Sequence, residues 1–413
     1  MRLLDADVLA DPYPLHRRLR EESPVHWDPY LHSWVVTRYD DVVRVLTDFS
    51  ATRTPTPERL VELGMGQLAP VAAVMVRQML FLDPPAHHRI RGLAHGAFTP
   101  RRIERLRVRI QRVTDDLIDT VCDRGAMDVL ADLAEPLPAI ITAELLGVPE
   151  DDHALLKDWS AAFAEMLGNF QHNPGRVPHV LRNLAEMADY FRAAVRREAV
   201  RPTDGLINTL VTARVDGDRL SEDDVIANIV VTMVGGQETT TNLIGNGLLA
   251  LLRQPSELER LRADPALMPS AIEELLRFES PSQHTARLAP DDVELGGQQI
   301  RRGQAVIAVM AAANRDPARF PEPDRLDLAR VDNRHLAFGW AAHFCFGAPL
   351  ARMEGAIALG TVLRRLPDLA MRPGPLHWRP NLGLRGLTAL PVSFAPSAAA
   401  GVSRSPGPRG AGR

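Results

Sequence analysis

Apolar residues along this chain recur mostly at the i, i+3, i+4 spacing of amphipathic helices, and only in short stretches with the alternation of strands. The pattern predicts a short helix over 13–21, two strands at Val25-His26-Trp27 and Trp34-Val35-Val36-Thr37, and a helix over 40–46. Residues 52–67 carry Pro55, Pro57, Gly64 and Gly66 and read as a loop with broken helical pieces. Helices are predicted over 128–146, 152–167 and 177–200, with a polar insert at 168–175. Short strands with glycine turns are expected between Val293 and Val309, and a last hairpin over 385–392.

The longest helical signal begins at Ser221, an N-cap with Asp224 at the third helical position, and runs to Leu252 before Pro255 stops it. Such a helix would be roughly 45 Å long, enough to cross a whole domain. Inside it stand Gly235, Gly236, Gln237, Glu238 and Thr239. Two interior glycines cost about 1 kcal/mol each against alanine, and a carboxylate beside apolar neighbours costs more unless it is paired or wetted. Either the glycines serve a helix contact with Glu238 solvated, or another role offsets these costs.

Composition narrows the class. The 413 residues are 45% hydrophobic and divided by no low-complexity interior linker, which favours one large domain over 12–396. Residues 1–11 form an N-terminal segment, and the Pro/Gly/Ala/Ser/Arg-rich tail 397–413 is expected to be disordered. A net charge of −4 gives no reason to expect nucleic-acid binding. The first residues lack an apolar leader and no stretch could span a membrane, so a soluble, cytoplasmic protein is expected. With only Cys122 and Cys345, a disulfide framework is excluded in favour of a reducing compartment.

Three clusters carry chemistry. Cys345 lies in Phe338-Gly-Trp-Ala-Ala-His-Phe-Cys-Phe-Gly347, just before a helix predicted over 348–366. A lone cysteine cannot build a tetrahedral zinc site, whereas one thiolate suffices as axial ligand to haem iron, and a helix N-terminus favours thiolate. The alternative is an inert cysteine in an aromatic turn. The turn Asp83-Pro84-Pro85 opens a helix that places His87 and Arg91 on one face, either a solvated basic face or an anion site. Glu274 and Arg277, at i and i+3, read in isolation as a surface pair.

Taken together, the motifs resemble the cytochrome P450 family. The loop 338–347 is similar to its haem-binding Phe-x-x-Gly-x-His-x-Cys-x-Gly, with Ala341 where the family usually has glycine. Residues 83–91 match Asp-Pro-Pro-x-His-x-x-x-Arg, and 235–239 resemble Ala/Gly-Gly-x-Asp/Glu-Thr. Glu274 and Arg277 match Glu-x-x-Arg, with Arg325 as the match for its completing arginine. The resemblance, over roughly 12–396, implies a mainly α fold with small β-sheets in a single large triangular domain.

It further implies haem b on Cys345, with Phe338, Gly347, Gly235 and Gly236 against it and His87, Arg91, Arg287 and His343 at its propionates. Thr239 would bond bound oxygen and Glu238 would relay protons. The implied activity is that of a monooxygenase hydroxylating or epoxidising a small apolar secondary metabolite, using O2 and NAD(P)H-derived electrons through ferredoxin and ferredoxin reductase. Oxidative C–C or C–N coupling is the alternative, and a non-catalytic haem binder or sensor a further one. Gln283, His284, Gly386, Leu387 and Thr388 become candidate substrate contacts. The arginine-rich 100–112 is a candidate docking face for the redox partner, with the protein a monomer.

Overall fold

The computed structural model describes residues 3, 5–169, 175, 177–214 and 219–397. Most of the polar insert 168–175, and the tail from 398 onward, therefore lie outside the described residues. The long helix forms as its sequence predicts, spanning Glu222–Leu252. Ser221 Oγ accepts from Asp224 N–H while the Asp224 carboxylate accepts from Ser221 N–H, so two N-terminal donors are satisfied reciprocally. This central helix is apolar nearly all round and is buried accordingly. It packs against Pro136–Leu146, His153–Asn169, Val177–Val200, Met268–Phe278 and Ala348–Arg365.

Three small sheets flank the helical body. β1 (Val25–Asp28), β2 (Ser33–Val36), β4 (Thr285–Leu288) and β7 (Ala305–Ala308) form one sheet in the order β1-β2-β7-β4. Its β2–β7 pairing is parallel, in register Ser33 to Ala305. β5 (Val293–Leu295) and β6 (Gln298–Ile300) form a hairpin whose turn residues Gly296 and Gly297 both have positive φ, as a two-residue turn of this hand requires. The third sheet pairs β3 (Ala126–Asp128), β9 (Pro391–Ser393) and β8 (Ala370–Met371) in the order β3-β9-β8.

One expectation is corrected. The segment 128–146 is not one helix: Ala126–Asp128 pairs with β9, and Leu130–Ala134 is a π-helical turn before Pro136–Leu146. The Asp128 carboxylate explains the start, accepting from Leu130 N–H at 3.0 Å and from the distant Leu390 N–H at 2.9 Å. The N-terminal segment packs onto the rest of the domain. Leu3 and Val8 are buried, and Arg385 donates to the carbonyls of Leu9 and Ala10 at 2.7 and 2.9 Å.

Candidate functional site: a cysteine loop under a central helix

Cys345 lies in a loop shaped by two positive φ angles, Gly339 at +72° and Ala341 at +53°. Glycine adopts the first freely, but alanine in this region is strained by about 1–2 kcal/mol. Cys345 N–H donates to Phe338 O at 2.7 Å and Phe344 N–H to Ala341 O at 3.1 Å, which closes the loop. The helix Ala348–Arg365 starts two residues beyond Cys345's neighbour Phe346, with Gly347 as N-cap. Burial pushes the Cys345 thiol up, while the N–H of Gly347 and the cations Arg91 and Arg352 favour the thiolate. A bound metal cation would tip that balance to thiolate. Phe338 is held under the Arg352 guanidinium at 4.6 Å, and Arg352 is fixed by Glu273 at 2.7 Å. Although burial opposes it, the Glu273 carboxyl is drawn down to about 2 by His335 and Arg352.

Next to the loop, the rings of His87 and His343 lie 4.2 Å apart. Both ring nitrogens of His87, Nε2 of His343 and Nε of Arg287 are buried and have no hydrogen-bond partner among the described residues. Burial, then the Arg91 charge, lowers His87 to about 4, and burial with Arg287 and His87 lowers His343 to about 3. Arg53, which the sequence did not single out, joins them: burial and the neighbouring Arg287 lower it to about 9. Asp83 is the carboxylate that acts on this cluster, and it is already engaged by Ser50 Oγ and Ala51 N–H. Buried donors concentrated in this way are costly unless an anion meets them. Arg91 reaches instead to the loop, donating to Phe344 O at 2.8 Å.

On the central helix, Thr239 Oγ1 donates to Gly235 O at 2.7 Å. A Cβ built on Gly235 or Gly347 would meet nothing within 4 Å, so bare backbone is available to a flat ligand at both. Gly236 differs: a Cβ there would come within 2.7 Å of Thr142 Oγ1, which makes it a helix-packing glycine rather than a cofactor contact. Both Glu238 oxygens accept from Arg379 Nη1, at 3.0 and 3.1 Å. Burial nevertheless pushes the Glu238 carboxyl up, against the pull of Arg379.

Other expected residues fall elsewhere. Glu274 and Arg277 are fully buried and bonded through two parallel contacts of 2.8 Å, so this is no surface pair. The arginine completing it is Arg330, at 3.1 Å from both Glu274 oxygens, whereas Arg325 is an exposed partner of Glu322 and contributes only its carbonyl, to Arg277 and Arg330. Gln283 braces Ser280 O at 2.7 Å, and with His284 it lines a small cavity beneath the N-terminal segment beside His16. Gly386 presses on the central helix at Asn242, Leu387 is in the core, and Thr388 is exposed with Oγ1 donating to His377 O at 3.1 Å. On the basic helix Pro100–Asp119, Arg102, Arg107 and Arg109 pair with Asp204, Glu104 and Glu144.

The unpartnered donors of His87, His343 and Arg287 fit the two propionates of haem, and the bare backbone of Gly235 and Gly347 fits its faces. Cys345 is a chemically suitable axial ligand, and haem so bound would supply the oxygen and redox chemistry.

Comparison with known proteins agrees. The family described as Cytochrome P450 matches residues 63–369. The chain is 38% identical over 395 residues to the polyketide biosynthesis cytochrome P450 PksS of Bacillus subtilis, covering 93% of this chain and 96% of that protein. It is 40% identical over 402 residues to cytochrome P450 monooxygenase PikC of Streptomyces venezuelae, covering 95% and 93%. The solved structure of P450BioI in complex with a hexadec-9Z-enoic acid ligated acyl carrier protein matches at a TM-score of 0.89 and 36% identity, covering 94% of this chain and 99% of that one. Likeness of this extent in both sequence and fold, around a site that fits haem, shows that the chain belongs to the cytochrome P450 monooxygenase family.

Proposed function

We propose that the protein inserts one atom of O2 into an unactivated C–H bond of an apolar secondary metabolite, on haem b held by Cys345. The balance is substrate C–H, O2, two electrons and two protons giving substrate C–OH and water. The electrons come from a ferredoxin and its NAD(P)H-dependent reductase, and the exposed Arg101 and Arg105 on the basic helix supply charge to steer an acidic partner. Polyketide biosynthesis in the name of PksS, and the acyl chain in the solved P450BioI complex, support reading the substrate as an extended apolar polyketide- or acyl-like molecule.

The observation that carries this reading is the bond from Thr239 Oγ1 to Gly235 O. It engages the hydroxyl's one proton and leaves the oxygen's lone pairs as acceptors. Glu238, the adjacent residue, is the acid that passes a proton toward that acceptor and regains one from solvent. A haem binder without turnover has no need of such a pair.

The test is coupling in the reconstituted system. Thr239→Ala is expected to keep consuming NAD(P)H while product per NAD(P)H falls at least about tenfold and peroxide rises, since positioned acid–base groups contribute 10²-fold or more. Fully coupled turnover in that variant refutes the role.

A further inference from the structure

A line of four charged side chains leads from Glu238 to the surface. Arg379 Nη1 binds both oxygens of Glu238, Arg379 Nη2 binds Glu135 Oε1 at 2.7 Å, and Glu135 Oε2 binds Lys157 Nζ at 2.8 Å. Exposure of the side chains runs 13%, 25%, 22% and 44% from Glu238 through Arg379 and Glu135 to Lys157. Three separate elements contribute. Glu135 ends the π-helical turn, Lys157 is on the helix His153–Asn169, and Arg379 belongs to the C-terminal segment between β8 and β9. The hairpin expected over 385–392 does not form, since β9 pairs with β3 and β8, and Arg379 instead holds the candidate pocket segment 386–388: its backbone N–H donates to Gly386 O at 2.9 Å and its Nε to Leu387 O at 3.2 Å.

One guanidinium is thus shared between two carboxylates and the Leu387 carbonyl. The charges facing Glu238 act in opposite directions, Arg379 favouring its ionised form while burial and Glu135 oppose it. Lys157 compensates Glu135, so anything that weakens the Lys157 contact increases the demand of Glu135 on Arg379.

We propose that Arg379 is a positioning residue for proton delivery: by dividing its guanidinium between Glu238 and Glu135 it sets how strongly Glu238 holds its proton. Through Leu387 and, by way of Glu135, Lys157 it ties that affinity to the segment 386–388 and to the helix His153–Asn169. A substrate that displaces this segment, or a movement of that helix, is thereby felt at the acid. The carboxyl gives up one proton per delivery and regains one from water, with no net change in Glu238. The inference rests on the acid role proposed above for Glu238.

The signs of three substitutions test it. In full-length ferric holoenzyme, infrared difference spectra over a pH series, referenced to Glu238→Gln, report the protonation of this carboxyl. Arg379→Gln is expected to raise its proton affinity at least about tenfold, one pH unit in midpoint. Lys157→Gln should raise it less, because an uncompensated Glu135 repels Glu238 and draws on Arg379. Glu135→Gln should lower it, because Arg379 then serves Glu238 alone, and Arg379→Lys should restore much of the wild-type midpoint. A residue that merely braces the fold would move the variants in one direction. If Arg379→Gln fails to bind haem, the opposed signs of Lys157→Gln and Glu135→Gln decide. Equal midpoints, or shifts of one sign, overturn the inference. Unmoved midpoints with an uncoupled Glu238→Gln enzyme overturn it and leave the acid role standing. Shifts of the expected signs with a fully coupled Glu238→Gln enzyme support control by Arg379 and overturn only the acid role.

Discussion

Ala341 is the residue at which the cysteine loop departs from the pattern it resembles, and its φ of +53° gives that departure a cost. A side chain in the left-handed region is strained, while glycine there relieves the strain and only adds some unfolded-state entropy in exchange. Ala341→Gly is therefore expected to stabilise the folded protein by about 1 kcal/mol, read as a higher denaturation midpoint at unchanged slope; an unchanged or lower midpoint contradicts the strain. Cys345 was legible because a single cysteine before a helix permits few metal chemistries. Arg53 was not, because its neighbours Arg287 and His343 are more than 230 positions away in sequence and only burial makes them a cluster.

At the level of elements, capping and periodicity specified the central helix from Ser221 to Leu252. They could not say which of its two glycines touches Thr142 and which is bare, since that depends on where the helix Pro136–Leu146 crosses. The pair Glu274–Arg277 shows the same limit. Spacing put the two on one face, but Arg325 and Arg330 share one arginine-bearing loop, and only its path brings Arg330 to Glu274. Removing one partner of a buried pair costs about 3–5 kcal/mol, whereas an exposed pair is worth about 0–1 kcal/mol. Arg330→Ala should accordingly lose several kcal/mol and be recovered with little haem, while Arg325→Ala should match wild type in both haem content and denaturation midpoint. Equal losses in the two variants would return the role to Arg325.

For the molecule as a whole, buried titratable groups make stability depend on pH in two opposed ways. Glu354, on the helix after the cysteine loop, is buried, and burial raises its carboxyl to about 8. The unfolded chain releases this proton above about 4.5 and the folded chain keeps it to about 8, so stability falls as pH rises between them, by on the order of 5 kcal/mol in all. Glu354→Gln should remove that loss, unfolding like wild type at pH values below about 4 and being more stable at pH 9. A wild-type and variant pair with equal midpoints at pH 9 would contradict it. Burial lowers His16 to about 3 and His284 to about 4. Here the unfolded chain binds the extra proton, so stability is lost as pH falls below about 6.5.

By itself the sequence determined the helical class, the central helix and its cap, the hairpin at Gly296–Gly297, the cysteine loop and the family it resembles. These are local properties: periodicity, capping and turn chemistry act over a few residues, and each motif is contiguous. Tertiary structure decided which arginine closes on Glu274, which glycine is bare, where Gln283 and His284 lie, and that Arg379 stands between Glu238 and Glu135. Those choices depend on contacts between residues far apart in sequence, 244 positions for Arg379 and Glu135, for which a charged residue in a loop gives no local signal. Burial then turns the same arginine that would be a solvated surface charge in an extended chain into the strongest influence favouring an ionised Glu238.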